Sequence, residues 1–305
     1  MKLKRFFSVF AVCLLIASVL GTAAQAAQSS AMTRGKWIAA LYASHMAVVQ
    51  ASSGTSATSG SACTGFSDVG AESSSYPAVC WARAQGITKG LDEQRFQPDR
   101  PITRLQAAVM LYRYEQAYSK DTFAAEPQTG TVEWSAVPAW GRPAAVWAVS
   151  QGVWFSGSEA LSPSEPLDTA EGNAMIYAAF SGGMKTSSVT ISPDTDVEFS
   201  LSNVTSTGAA ATLSNRGASV VTYGSDYFLQ QKFHDTWYWR QDGGVFTMEL
   251  CELQSGASIS LQLNWENFCG ALPAGEYRIL KYVNVQSLPD GTMNRRPVAA
   301  EFTVD

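Results

Sequence analysis

The residues that could carry out chemistry are few and badly spaced for it. The chain of 305 residues holds two histidines, His45 and His234. Cys–His catalysis would need one of them. His45 closes a helical stretch next to a low-complexity segment, and His234 sits beside Asp235 where two alternating runs turn back. A lone histidine in such a turn reads as a solvated turn residue. Glu249 and Glu252 have the residue types of a glycosidase carboxylate pair. Three apart on one strand, they project to opposite faces. No Gly-x-Ser-x-Gly elbow, no HExxH and no phosphate-cradling glycine loop occurs. The expectation is a non-catalytic protein with no cofactor and no metal.

Cysteine usage agrees with export rather than metal binding. Cys13 falls inside an apolar leader, and Cys63, Cys80, Cys251 and Cys269 lie beyond it. Their spacings do not match a paired CxxC zinc site. Four cysteines allow three connectivities, of which pairing within each half, Cys63–Cys80 and Cys251–Cys269, is the simplest. Four separate buried thiols are the alternative.

The leader itself has three parts. Lys2, Lys4 and Arg5 precede an apolar run from Phe6 to Leu20, and small residues lead to Ala24-Gln25-Ala26. That is the layout of a secretory signal peptide over residues 1–26. No other run approaches the ~20 apolar residues of a spanning helix, so no integral membrane segment is expected after cleavage. Losing the leader takes the formal charge from −5 to −8. An acidic chain without a basic patch is not built to hold nucleic acid.

At the level of whole elements, internal similarity dominates the sequence. Phe66-Ser67-Asp68-Val69 answers Trp134-Ser135-Ala136-Val137, and Trp81-Ala82…Gly86-Ile87 answers Trp147-Ala148…Gly152-Val153. Phe96-Gln97-Pro98 answers Leu161-Ser162-Pro163, and Ile102-Thr103-Arg104 answers Leu167-Asp168-Thr169. A further copy of that last piece, Met32-Thr33-Arg34, opens the mature chain. Tyr76 to Gln85 has helical apolar spacing and stops at Gly86, a favourable helix end. Gly90 can take a positive φ in the loop, and Thr103 stands as the N-cap of a helix whose stripe is Leu105, Ala108, Val109 and Tyr112. Each unit is helix–loop–helix and needs neighbours to bury its apolar face.

These residues resemble the S-layer homology repeat: an aromatic-x-Asp-Val opening, a Trp-Ala helix ending in Gly-Ile, a Gly…Phe-x-Pro loop and an Ile-Thr-Arg helix start. The copy over residues 66–118 is complete, that over 134–182 degenerate, and that over 31–50 partial, within a region of 27–183. The resemblance implies an all-α, non-catalytic wall anchor that holds an acidic secondary cell-wall polysaccharide on a Gram-positive-type surface. Carried over residue by residue, it implies a ligand site from Arg34, the Thr103-Arg104 pair, Trp81, Trp147 and Gly90. A guanidinium at a helix start suits a sugar carboxylate, and an indole offers a flat face to a sugar ring. The alternatives are that Arg104 pairs with Asp68 or Asp99 and that Trp81 serves the core.

Beyond Ser181-Gly182-Gly183 the period changes to two. Runs such as Val197–Leu201, Ser219–Tyr223, Ile259–Leu263 and Ala300–Val304 alternate, and turn residues punctuate them. This predicts an all-β sandwich over 186–305. Leu272-Pro273-Ala274-Gly275-Glu276-Tyr277 resembles a bacterial Ig-like domain, a module suited to a protein partner. An alternative reading makes the helical repeats purely structural, with the sandwich as the binding module; a further one makes the chain an accessory part of a cell-wall enzyme. Fold analogy alone assigns no activity.

Overall fold

The computed structural model describes residues 31–53, 65–118, 134–155, 161–191, 196–240, 250–286 and 293–305. The leader, Cys63, Glu249, the Ser/Gly-rich stretch from 54 and the loop 121–131 lie outside them. The described residues form two compact units that divide between Met184 and Lys185.

Among the described residues, the first unit holds five α-helices: α1 (Arg34–Ser53), α2 (Tyr76–Ala84), α3 (Arg104–Tyr118), α4 (Arg142–Ser150) and α5 (Thr169–Ser181). The short helices α2 and α4 each have proline in their first turn, where no intrahelical donor is lost. Both run out at a glycine with positive φ, Gly86 at 72° and Gly152 at 64°. The long helices α1, α3 and α5 each begin with a side-chain cap. Thr33 Oγ1 accepts from the Lys36 amide at 3.2 Å, Thr103 Oγ1 from the Gln106 amide at 3.3 Å and Asp168 Oδ1 from the Glu171 amide at 2.7 Å. Gln106 Oε1 reaches back toward the Thr103 amide at 3.5 Å, completing a loose capping box.

The three capped helix starts meet. The Met32 amide donates to Leu167 O, the Leu167 amide to Ile102 O and the Ile102 amide to Met32 O, each at 2.9 Å. This closed triangle links the three segments that align with one another in the sequence, and all three side chains are buried. Pro101 and Pro166 precede two of them; a proline holds the residue before it extended and brings no amide that would need a partner. Trp37, Ile38, Leu41, Leu111, Ala107 and Ala145 are likewise fully buried in this unit.

The second unit is a sandwich, with nine strands and one four-residue helix, α6 (Glu266–Cys269), among the described residues. One sheet is β1 (Val197–Ser202), β2 (Gly208–Asn215) and β7 (Ser258–Asn264), in the order β1-β2-β7. The other is built on β8 (Gly275–Gln286). Its whole length pairs with β9 (Met293–Val304), and its other edge pairs with β4 (Phe228–Phe233) and β3 (Val221–Tyr223). β5 (Thr236–Trp239) extends β4, and β6 (Cys251–Leu253) extends β3. Strict alternation along β2 turns Ala209, Ala211 and Leu213 inward against Phe199, Val221, Leu229, Ile279 and Trp265. Tyr277, fully buried, donates its hydroxyl to Pro273 O at 2.8 Å and so ties the start of β8 to the turn that precedes it. Ser188-Val189-Thr190-Ile191 also alternates in the sequence but forms no strand; beside it, Thr186 bridges Tyr238. His234 and Asp235 form the β4–β5 turn, with His234 at φ 52°.

Candidate functional site

The two arginines of the Thr-Arg pairs both stand at helix starts, but their surroundings differ. The resemblance places Arg104 on the surface as a ligand cation. It is instead 7% exposed. Its Nε and Nη2 donate to the two carboxylate oxygens of Glu171 at 2.8 and 3.0 Å, and Nη1 to Glu165 at 3.0 Å. Burial opposes the charge, but Glu171 and Glu165 hold the pKa above the usual arginine value. A fork–fork pair plus a second carboxylate leaves this guanidinium committed to the fold. Arg104 is therefore corrected from ligand cation to internal ion pair, and its partners are neither Asp68 nor Asp99.

Arg34 occupies the equivalent slot one copy earlier and is still more buried, at 2% exposure. Its Nε donates to Phe96 O at 2.8 Å, its plane lies over the Phe96 ring at 4.7 Å, and Nη1 reaches only the neutral Gln106 Oε1, at 3.3 Å. Nη2 is buried with no hydrogen-bond partner among the described residues. Desolvation and then the positive charge of Arg100 pull the pKa down to about 10, while Asp68 acts in the other direction. Sequence equivalence makes the contrast sharp. Arg104 has Glu165 and Glu171 at the two positions where Arg34 has Arg100 and Gln106. The third helix start carries Thr169 in place of an arginine.

The loop around Arg34 is braced by its motif residues. Both carboxylate oxygens of Asp68 accept backbone amides, Phe96 at 2.9 Å and Gln97 at 2.7 Å, which holds Gln97 at φ 59°. Gly90 has φ 79°, and a Cβ there would lie 2.4 Å from Asp92 O and 2.5 Å from the Phe66 ring. Phe66 in turn packs on Phe96, centroids 5.7 Å apart. Gly90 thus positions the aromatic floor under Arg34, and Thr103 orients Gln106 beside it. These expected site residues come together, with Gly90 and Thr103 in supporting places.

The tryptophans do not join them. Trp147 is 2% exposed and packs on Tyr112 at 5.8 Å, so it is core, together with Ala144, Ala145, Val146 and Ala148 of the same helix. Trp81 is half-buried in an aromatic cluster with Tyr42, His45, Tyr114 and Tyr118. Its indole N–H donates to Tyr118 Oη at 3.1 Å, and the His45 ring stacks on it at 5.1 Å. Among the cysteines, Cys80 is disulfide-bonded to a partner outside the described residues. The Cys251–Cys269 bridge is absent. Cys251 is exposed on the edge strand β6 beside Tyr223, whereas Cys269 is buried in the sandwich core. Among the described residues no cluster of His, Cys, Asp and Glu could hold a metal, and no helix is long and apolar enough to cross a membrane.

The family models for the S-layer homology domain and the bacterial Ig-like domain match residues 65–108 and 192–303. The chain carries an S-layer homology domain followed by a bacterial Ig-like domain. The S-layer homology match takes in Asp68, Gly90, Arg100, Thr103 and Gln106, and ends before Glu165 and Glu171. Domains of this kind associate bacterial surface proteins with the cell wall and generally bind its polysaccharide. No curated protein matches the chain. Among solved structures, the archaellum periplasmic stator protein FlaG from Sulfolobus acidocaldarius is 12% identical, covering 35% of this chain and 98% of its own, with a TM-score of 0.21. The ASH/PapD-like domain of human CEP192 is 15% identical over 39% and 92%, TM-score 0.21. A protein from Archaeoglobus fulgidus is 12% identical over 36% and 95%, TM-score 0.18. Likeness at such scores carries no weight for function.

The residues missed in the sequence are Arg100, Gln106, Glu165 and Glu171. The signal for them lay in the copies themselves, since setting Arg100-Pro101-Ile102 over Glu165-Pro166-Leu167 reverses a charge.

Proposed function

We propose that this protein is a non-catalytic surface anchor, exported by its leader and held to an acidic cell-wall polysaccharide by the helical unit, with the Ig-like unit presented to a protein partner. The observation that carries the reading is the helix start at Arg34: a buried guanidinium with an orphaned Nη2, a second arginine beside it and no carboxylate in the equivalent positions. A buried cation without a counter-ion costs stability unless something supplies the missing anion. A sugar carboxylate supplies it, in the fork geometry that guanidinium favours. The repeats at 31–50, 66–118 and 134–182 then act as one anchoring body.

The reading that treats the repeats as structural only draws on Arg104 and Trp147, both spent on internal contacts. One experiment separates the two. The secreted chain is sedimented with wall fragments before and after mild acid removes their secondary polysaccharide. Binding to intact walls and loss on stripped walls is expected, and equal sedimentation with both would sink the anchoring reading.

A further inference from the structure

We infer that Arg100 and Gln106 are the residues that make the helix start at Arg34 selective for an acid, by standing where Glu165 and Glu171 internally neutralise Arg104. The inference rests on the anchoring reading for its natural ligand but makes its own demand on the chemistry of the site.

The two helix starts share a backbone plan. The Arg34 amide donates to Arg100 O at 2.9 Å and the Arg104 amide to Glu165 O at 3.0 Å. One residue later, Gly35 donates to Pro98 O and Leu105 to Pro163 O, at 2.7 and 3.1 Å. Matching positions therefore lie beside their arginines, with the Arg100 charge felt at Arg34 although its Nη1 donates to Gln97 Oε1 at 3.3 Å. At Arg104 both are carboxylates, and all three nitrogens of the guanidinium make bonds of 2.8–3.0 Å. At Arg34 one is a cation and the other a neutral amide. Gln106 is held by two long contacts, 3.3 Å to Arg34 Nη1 and 3.5 Å to the Thr103 amide, at the weak end of hydrogen-bond geometry.

A half-buried amide so loosely held is readily displaced by a carboxylate, which would bridge Nη1 and Nη2 of Arg34 and be met from outside by the exposed Arg100. Asp68 favours the Arg34 charge from a distance, but its oxygens are turned to the Phe96 and Gln97 amides, and the Arg34 side-chain bonds go to Phe96 O and Gln106 Oε1 instead. The third helix start has no arginine to serve. The three copies thus offer one acid-binding slot among the described residues, and the ligand carboxylate takes the role that Glu171 plays at Arg104.

The test gives Arg34 the carboxylates that surround Arg104. The full secreted chain carrying Arg100→Glu and Gln106→Glu is compared with wild type in two assays. In the first, sodium glucuronate is titrated against glucose as the neutral control, and the unfolding temperature is read. In the second, sedimentation with intact walls gives an apparent Kd. The double variant copies an arrangement the molecule already packs at Arg104, and a ligand-free unfolding temperature no lower than wild type confirms that it folds. Glucuronate, but not glucose, is expected to raise the unfolding temperature of wild type and leave that of the double variant unmoved. Wall affinity is expected to fall by roughly tenfold or more, since charge-assisted pairing is lost and replaced by like-charge repulsion. If wild type binds walls and the double variant binds them equally well, the assignment to Arg100 and Gln106 is wrong while anchoring stands. If wild type ignores walls yet responds to glucuronate only when Arg100 and Gln106 are intact, the acid site stands and the wall reading falls. If wild type responds to neither, both fall.

Discussion

Arg34 and Arg104 follow a threonine at the start of a long helix, in copies of one motif, and end in opposite electrostatic states. Arg104 is saturated by two carboxylates, whereas Arg34 is left with an orphaned nitrogen, a neutral amide and a neighbouring cation. Neither fate is written in the Thr-Arg pair. Each is decided by residues 61 to 72 positions downstream, in the next copy, because the backbone triangle sets every helix start against its neighbour. A motif match therefore places a guanidinium correctly and says nothing about whether it faces inward to the fold or is kept for a ligand.

The largest expected effect comes from breaking the saturated pair. Arg104→Ala leaves Glu171, itself 4% exposed, as a buried carboxylate without its partner. Removing one member of a buried pair costs about 3–5 kcal/mol. Denaturant unfolding should register a loss of that order, and Arg104→Lys should recover only part, lacking the fork. Wall affinity of the folded fraction should stay at the wild-type level. Loss of affinity with intact stability would reverse the roles assigned to the two arginines.

Much of this fold was legible. Glycine ends at Gly86 and Gly182, the Thr103 cap, the Phe96-Gln97-Pro98 loop and most of the period-two runs, though not 188–191, follow from local chemistry and stand where the sequence puts them. What could not be read is non-local. Trp81 and Trp147 occupy the same motif position, yet one is half-buried among tyrosines and the other fills the core. Lys281 falls on an inward position of β8, and its ammonium survives burial by donating to Gly224 O and Asp226 O at 2.6 and 3.0 Å. Cys251 and Cys269 are eighteen residues apart, but the sandwich places one on an edge and the other inside. Pairing and burial are set by which elements meet, and a single sequence records that only indirectly.

A middle-sized effect should come from the brace on the Arg34 side. Asp68→Ala removes the acceptor of two backbone amides and frees the Phe96-Gln97 turn that supports Arg34. Hydrogen bonds to a charged group contribute about 1.5–3 kcal/mol, so a loss within that range is expected together with weaker wall binding. The degenerate copy has Ala136 there and still holds Ser162 at φ 39°. If Asp68→Ala changes neither stability nor binding, the complete copy needs its brace no more than the degenerate one does. The caps come next. Thr103→Ala and Asp168→Ala should each cost about 1 kcal/mol of unfolding free energy. Only Thr103→Ala should also disturb wall affinity, because Thr103 aligns Gln106.

The smallest effect tests the aromatic cluster and should leave both arginines alone. His45 stacks on Trp81 at 5.1 Å, contacts Tyr114 Oη at 3.3 Å and lies edge to face with that ring, while Tyr118 and Tyr42 complete the cluster around them. Burial lowers its pKa below the ordinary histidine value of 6.5. The sign follows from proton uptake: as pH falls through 6.5 the unfolded chain gains a proton before the folded one does, so the folded state loses stability over that interval. The loss levels off once pH passes below the depressed folded value. Unfolding temperatures at about pH 7.5 and about pH 5.5, on either side of the ordinary histidine value, should therefore differ more in wild type than in His45→Gln, which cannot titrate. Because the imidazole is only half-buried, water screens most of the penalty and the difference should be small. Wall affinity of the folded protein at the two pH values should change equally in both proteins, since an acid held by Arg34 has no titrating partner at His45. A His45→Gln protein whose wall affinity loses its pH dependence would instead place Trp81 and its neighbours in the binding surface, and the separation of the two tryptophans from the arginine site would have to be given up.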